Sequence, residues 1–467
     1  VKHQQDKQEE RNESAGNAGN TATILALPEE VDSIGRRQLL RTGVSLVAYM
    51  AASKLFAPRT ARAQVAQAST DFSVQRKLVW INMSGGWDIL ETVDPKQRSS
   101  SKLDVAYDWA LAHRLAGSTT DVRVGRHLPG LASIGADVVL VRGLAMGTTS
   151  HDAGSVYMDT GILSNTGRVN AASVPSIVAS ESDATIPIIQ LGGGSEPLID
   201  RGLLNPVSLV RAQNLDLYRS MYPTDKKDTA RRLALLDYMK KSIARAERTL
   251  GKNDRLTAVG SAESKIRGQI NSDLGAKLSV TDADKALFAP AAGAGMGMGG
   301  GAGDAFALAL KLIKNDLATC VNMGLGGFDT HAGQDRQLAA LLPPFDAALK
   351  IFVNELRKAG KLDTTLIVLY SDFGRTPKIN GSAGRDHWPV GGAVMIGGGI
   401  AGGRAVGGTD GDLLALNCDL DTGTTPGSEQ LSPVHLAGAV VKLCIGEEYM
   451  PYRSYLEAPG ALTKLKD

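Results

Sequence analysis

The sequence predicts an α/β fold with a mainly parallel central sheet, helices on both of its faces and a helical insertion. Three observations carry that prediction. Short β-branched apolar runs end in glycine, apolar residues recur at helical spacing between two of them, and glycine is abundant (53 of 467 residues) while aromatics are few. Many tight strand-to-helix loops need glycine, and strands covered on both faces read as continuous apolar runs.

The runs are Leu78–Met83, Val138–Val141, Ile186–Leu191, Cys320–Met323, Leu366–Tyr370 and Ala393–Ile396. Between the fourth and fifth, Phe345, Leu349, Phe352, Val353 and Leu356 repeat at three and four and stop at Gly360. That predicts a strand–helix–strand unit. Ser432 before Pro433 has the form of an N-cap with proline at the first helical position, opening a last helix that ends near Gly446. Residues 201–310 break the rhythm. Leu236, Met239, Ile243, Ala246 and Leu250 read as helix, and a Gly/Ala/Met run over 289–303 reads as a flexible linker. This stretch is a helical insertion in one domain spanning 77–467.

Ahead of that domain, residues 1–35 are polar and read as disordered. Residues 36–63 have the three parts of a twin-arginine export signal: Arg36-Arg37, an uncharged run from Thr42 to Ser53, and Ala61-Arg62-Ala63 before a linker over 64–76. The apolar run is too short to span a bilayer, so no stable transmembrane anchor is expected. The twin-arginine translocase is the expected partner and the periplasm or exterior the expected location. With 51 basic and 49 acidic residues, nothing points to nucleic acid. Cys320, Cys418 and Cys444 form neither a C-x-x-C pair nor a disulfide framework.

Ligands of open parallel sheets bind at the carboxyl ends of the strands. The segments expected there are rich in carboxylate and imidazole: Ser84-Gly85-Gly86-Trp87-Asp88, Thr148-Thr149-Ser150-His151-Asp152, Gly327-Phe328-Asp329-Thr330-His331 and Ser371-Asp372-Phe373-Gly374-Arg375-Thr376-Pro377. Gly384-Arg385-Asp386-His387-Trp388-Pro389 stands just before the last strand. Mixed Asp and His ligation suits zinc or manganese; calcium or magnesium would want oxygen throughout. Asp329 and His331 flank Thr330, so an extended segment turns both the same way. Taken singly, Asp88 and Asp372 also read as helix N-caps, and His387 as a histidine held by Asp386. His113, His127 and His435 read as structural.

These motifs resemble a family of exported bacterial proteins catalogued as domain of unknown function 1501, which itself resembles the alkaline phosphatase and sulfatase superfamily. The resemblance runs from about Lys77 onward. It implies an alkaline-phosphatase-like fold with two divalent ions clamping a phosphate or sulfate ester. One ion would take Asp88 and Asp372, the other Asp329, His331 and His387. Phe373 departs from the pattern where esterases of the superfamily carry His or Asn, leaving Asp386 or His151 to complete the first ion. The sulfatase C/S-x-P-x-R motif is missing as well. Ser150, at an expected helix start whose dipole favours an anion, is the candidate nucleophile, with Thr149 in reserve or a metal-bound water instead. Either hydroxyl has the bland alternative of a plain N-cap. Arg375 is placed to pair with the substrate anion. The implied activity is hydrolysis of an anionic ester; the alternative is a non-catalytic, metal-stabilised relative with a cell-surface role.

Overall fold

In the computed structural model, the described residues are 75–97, 109–192, 209–211, 225–291 and 302–446, less some single positions and pairs inside them. The N-terminal extension, the export signal, most of the linker after it and most of the Gly/Ala/Met run fall outside them.

All six apolar runs form strands of one sheet: β1 Lys77–Met83, β2 Val138–Ala145, β3 Ile186–Gly192, β5 Ala318–Leu325, β6 Thr365–Tyr370 and β7 Val390–Gly397. Two edge strands, β4 Leu209–Arg211 and β8 Arg404–Gly407, complete an eight-stranded order β8-β2-β7-β6-β1-β5-β3-β4. The sheet is parallel except for β7, which runs against both β2 and β6. The mainly parallel sheet expected from the sequence is observed, and only the run Ala393–Ile396, read with the parallel strands, is reversed. A strand buried on both faces has the same apolar composition in either direction, so its sense is not written in the run.

This reversal positions chemistry. Because β7 is antiparallel, its first residues sit at the carboxyl ends of its neighbours: Val390 pairs with Ala145, and Ala393 with Tyr370. The motif that precedes β7 therefore meets the loops that follow β1, β2, β5 and β6.

Helices cover both faces. On one lie α1 His151–Thr160, α2 Val174–Ser180 and the last helix, Pro433–Ile445, packed on Leu78, Trp80, Val368 and Tyr370. On the other lie Ala302–Lys314 and the long helix Gln334–Lys358, packed on Val79, Ile81, Val321 and Met323. Phe306 meets Phe345 and Phe352 at ring-centroid separations of 5.9 and 5.2 Å. Each such buried ring contributes roughly 1.5–3 kcal/mol. The described parts of 201–310 are helical apart from β4, with two longer helices, Lys226–Leu250 and Asp254–Asn271, packed on each other. Ser432 and His435 cap the last helix reciprocally: the Ser432 N–H donates to His435 Nδ1 at 3.0 Å. His113 Nε2 bonds the Arg126 carbonyl at 3.0 Å. All three cysteines are buried and free. Among the described residues no helix is long and apolar enough to cross a membrane.

Candidate metal centre

The loop after β1 makes its turn with Gly85 and Gly86, both at positive φ (114° and 71°). A Cβ on Gly85 would stand 2.5 Å from the Asp329 nitrogen, and one on Gly86 2.5 Å from the Phe373 ring. Only glycine lets these three loops close on one another. Their amides reach Asp372: Gly85 N–H and Gly86 N–H donate to its Oδ1 at 3.1 and 2.5 Å, and Ser371 Oγ adds a third bond at 2.8 Å.

After β5, the alternation expected around Thr330 is observed. Thr330 is buried and donates to Gln334 Oε1 at 2.8 Å, while the Asp329 and His331 side chains stand half exposed on the opposite side. His387, from the short antiparallel ribbon Gly374–Arg375/His387–Trp388, arrives beside them. Three donor atoms then make a small triangle. His331 Nε2 lies 2.9 Å from His387 Nε2 and 3.1 Å from Asp329 Oδ1, and His387 Nε2 lies 3.5 Å from the same oxygen. His151 Nε2 approaches that oxygen at 3.6 Å, and His151, Asp329 and His387 each offer a donor within 4.8 Å of the others.

Each imidazole is held by its other nitrogen. His387 Nδ1 bonds the Thr149 carbonyl at 2.8 Å, His331 Nδ1 bonds Asp386 Oδ1 at 2.9 Å, and His151 Nδ1 bonds Asp372 Oδ2. A carbonyl accepts only, so His387 carries its proton on Nδ1 and turns a bare Nε2 lone pair inward. Lone pairs facing one another at 2.9 Å repel unless a proton or cation lies between them. Ligands 2.0–2.1 Å from a tetrahedral ion are about 3.4 Å apart, close to the edges of this triangle. Imidazoles oriented by carboxylate or carbonyl are the usual surroundings of a metal. The donor set therefore fits a divalent ion.

Electrostatics agree. Burial raises the Asp329 carboxyl, but the bond and charge of Arg375, with His151 and His331 beside it, outweigh it and hold the pKa below the usual range. The His331 bond, then Asn380, lowers that of Asp386. The bond to Asp372 raises that of His151.

Several expected roles change place. Asp88 is buried away from the triangle: its Oδ1 accepts from the Leu90 N–H at 2.8 Å, a local turn cap, and its Oδ2 faces Gln334 Nε2 at 2.6 Å and Arg385 Nε at 3.0 Å. Asp386 holds His331, not His387. Arg375 is wholly buried, and its guanidinium meets the carbonyls of Gly85, Gly86 and Arg385, Asp329 Oδ1 at 2.6 Å and His331 Nε2 at 3.4 Å. Four of the five N–H groups bond oxygens, so the fork expected to grip an anion instead braces the loops. Ser150 is the N-cap residue of α1 and exposed, and its hydroxyl makes no capping bond. Thr149, also exposed, serves the triangle through its carbonyl. Gln334 and Arg385 are not apparent as site residues in the sequence. The available signal for Arg385 was its place two residues before His387.

No curated protein matches the chain. Among solved structures it is similar to the lipoteichoic acid synthase LtaP from Listeria monocytogenes, at 10% identity over 87% of this chain and 78% of that one, TM-score 0.33. It is similar to a protein in the alkaline phosphatase superfamily from Vibrio parahaemolyticus, at 11% identity over 88% and 76%, TM-score 0.34. The PsFucS1 sulfatase from Pseudoalteromonas sp. is similar at 11% identity over 90% and 74%, TM-score 0.31. Likenesses this distant transfer no activity. The family model described as "Protein of unknown function (DUF1501)" matches residues 75–420, and the chain belongs to that family.

Proposed function

We propose that this protein is an exported, metal-dependent hydrolase of a phosphate or sulfate ester, with a divalent ion on Asp329, His331 and His387. The observation that carries the reading is the triangle of converging donors, each imidazole fixed from behind. Zinc or manganese suits two nitrogens and one carboxylate oxygen. Such an ion polarises the ester oxygen and stabilises the charge that develops on it. Ser150 is the proposed nucleophile: it precedes His151 at the start of a ten-residue helix, and its hydroxyl is not engaged in capping. The helix dipole favours an anion there. Twin-arginine export of the already folded protein belongs to the same proposal.

A second reading, a metal-stabilised relative without catalysis, has its own observation. Phe373 is buried between two imidazoles of the site, its ring centroid 4.6 Å from His151 and 4.5 Å from His387. The experiment that separates the two is hydrolysis of aryl phosphate and sulfate mono- and diesters by the metal-loaded protein. Turnover supports the enzyme; metal bound without turnover of any ester selects the second reading.

A further inference from the structure

The family resemblance implies two ions; we infer that this chain holds one, and that its own side chains take the place of the second. The inference rests on the metal-dependent reading above. The carboxylates that would hold a second ion are Asp88 and Asp372, each 1% exposed. Both are already satisfied. Asp88 accepts from Leu90 N–H and Gln334 and pairs with Arg385, which is itself buried. Asp372 accepts from two glycine amides, Ser371 and His151. Both oxygens of each carboxylate are thus engaged, by loop amides on one and by Gln334 or His151, each at the start of a helix, on the other.

Position 373 excludes a replacement ligand. The Phe373 ring lies against His151 and His387 and 2.5 Å from where a Cβ on Gly86 would be, so the volume beside Asp372 is filled by carbon. Charge agrees. Arg375 pairs with Asp329 and Arg385 with Asp88, while Asp372 and Asp386 pair with His151 and His331, so the four carboxylates outnumber the two buried guanidiniums by two. One dication brings that balance to zero. A second would leave two uncompensated positive charges beside groups removed from water, where such charge is costly.

Stoichiometry tests this directly. The protein is loaded with excess zinc, and in a parallel arm with manganese, passed through a desalting column, and its metal counted per chain by mass spectrometry. One ion per chain is expected. Two ions would overturn the one-ion inference and leave the metal-dependent reading standing; no ion with either metal would overturn both. Asp88→Asn and Asp372→Asn, checked for folding by circular dichroism, are expected to keep one ion, whereas Asp329→Asn loses it. Asp386→Asn is expected to keep one ion at 10–100-fold weaker affinity, since it orients His331 without ligating. Loss of the ion from folded Asp88→Asn or Asp372→Asn would overturn the inference. If either variant fails to fold, the wild-type count still decides.

Discussion

His387 donates its Nδ1 proton to the main-chain carbonyl of Thr149, 2.8 Å away, which fixes the face of the imidazole that turns toward Asp329. The carbonyl does this work, not the threonine side chain. Thr149→Ala is therefore expected to keep both metal and turnover, while His387→Phe loses the metal. Metal content and steady-state hydrolysis of the two variants check this. Lost turnover in metal-replete Thr149→Ala would make its hydroxyl the nucleophile.

Ser150→Ala is expected to abolish ester turnover at unchanged metal content. The usual cost of losing a serine cap, about 1 kcal/mol, should not appear, because this hydroxyl makes no capping bond. A denaturation curve beside the rate measurement is enough. Equal turnover by the variant and wild type removes Ser150 from the mechanism and points to a metal-bound water.

Arg375→Met is expected to destabilise the protein by about 1–3 kcal/mol or more, the range for leaving one buried acceptor without its donor. The variant strips three loop carbonyls and Asp329 of their donor at once. Urea unfolding measures it. A change below about 1 kcal/mol would mean that the guanidinium is not bracing the loops.

Glu91 gives a pH dependence. Burial, with Asp88 next, pushes its pKa from 4.5 up to about 7, although Arg126 lies 3.1 Å away. Between pH 4.5 and 7 the folded chain holds a proton that the unfolded chain has released. Stability from this group therefore falls as pH rises through that window, and the loss is complete above it. Glu91→Gln should flatten the fall. Unfolding free energies of both proteins at pH 5 and pH 8, in the same metal state, compare the slopes; parallel slopes would refute the assignment.

The strands were legible because burial on both faces leaves an apolar run, and the helix before Gly360 because its spacing survives in Phe345, Leu349 and Phe352. The site was legible as a set of loops, since every motif singled out lies at the carboxyl edge of the sheet. Individual roles were not. Asp88 and Asp329 are both carboxylates following a strand, yet one meets Arg385 in the interior and the other faces three imidazoles. The difference comes from partners far away in sequence. Arg375 likewise turns inward because the ribbon pairing it with His387 sets its direction, and nothing local in Gly374-Arg375-Thr376 records that.

β1 opens the described chain but lies in the middle of the sheet, where Leu78 pairs with Cys320 on one side and Leu366 on the other. It can acquire neither neighbour until most of the polypeptide has been made. Closing such long loops before any contact rewards them slows folding. Until β5 and β6 arrive, β1 offers two unpaired hydrogen-bonding edges and apolar faces to any other chain. A nascent chain of this wiring needs shielding during synthesis, and a truncation before β6 would remove the centre of the sheet rather than trim its margin.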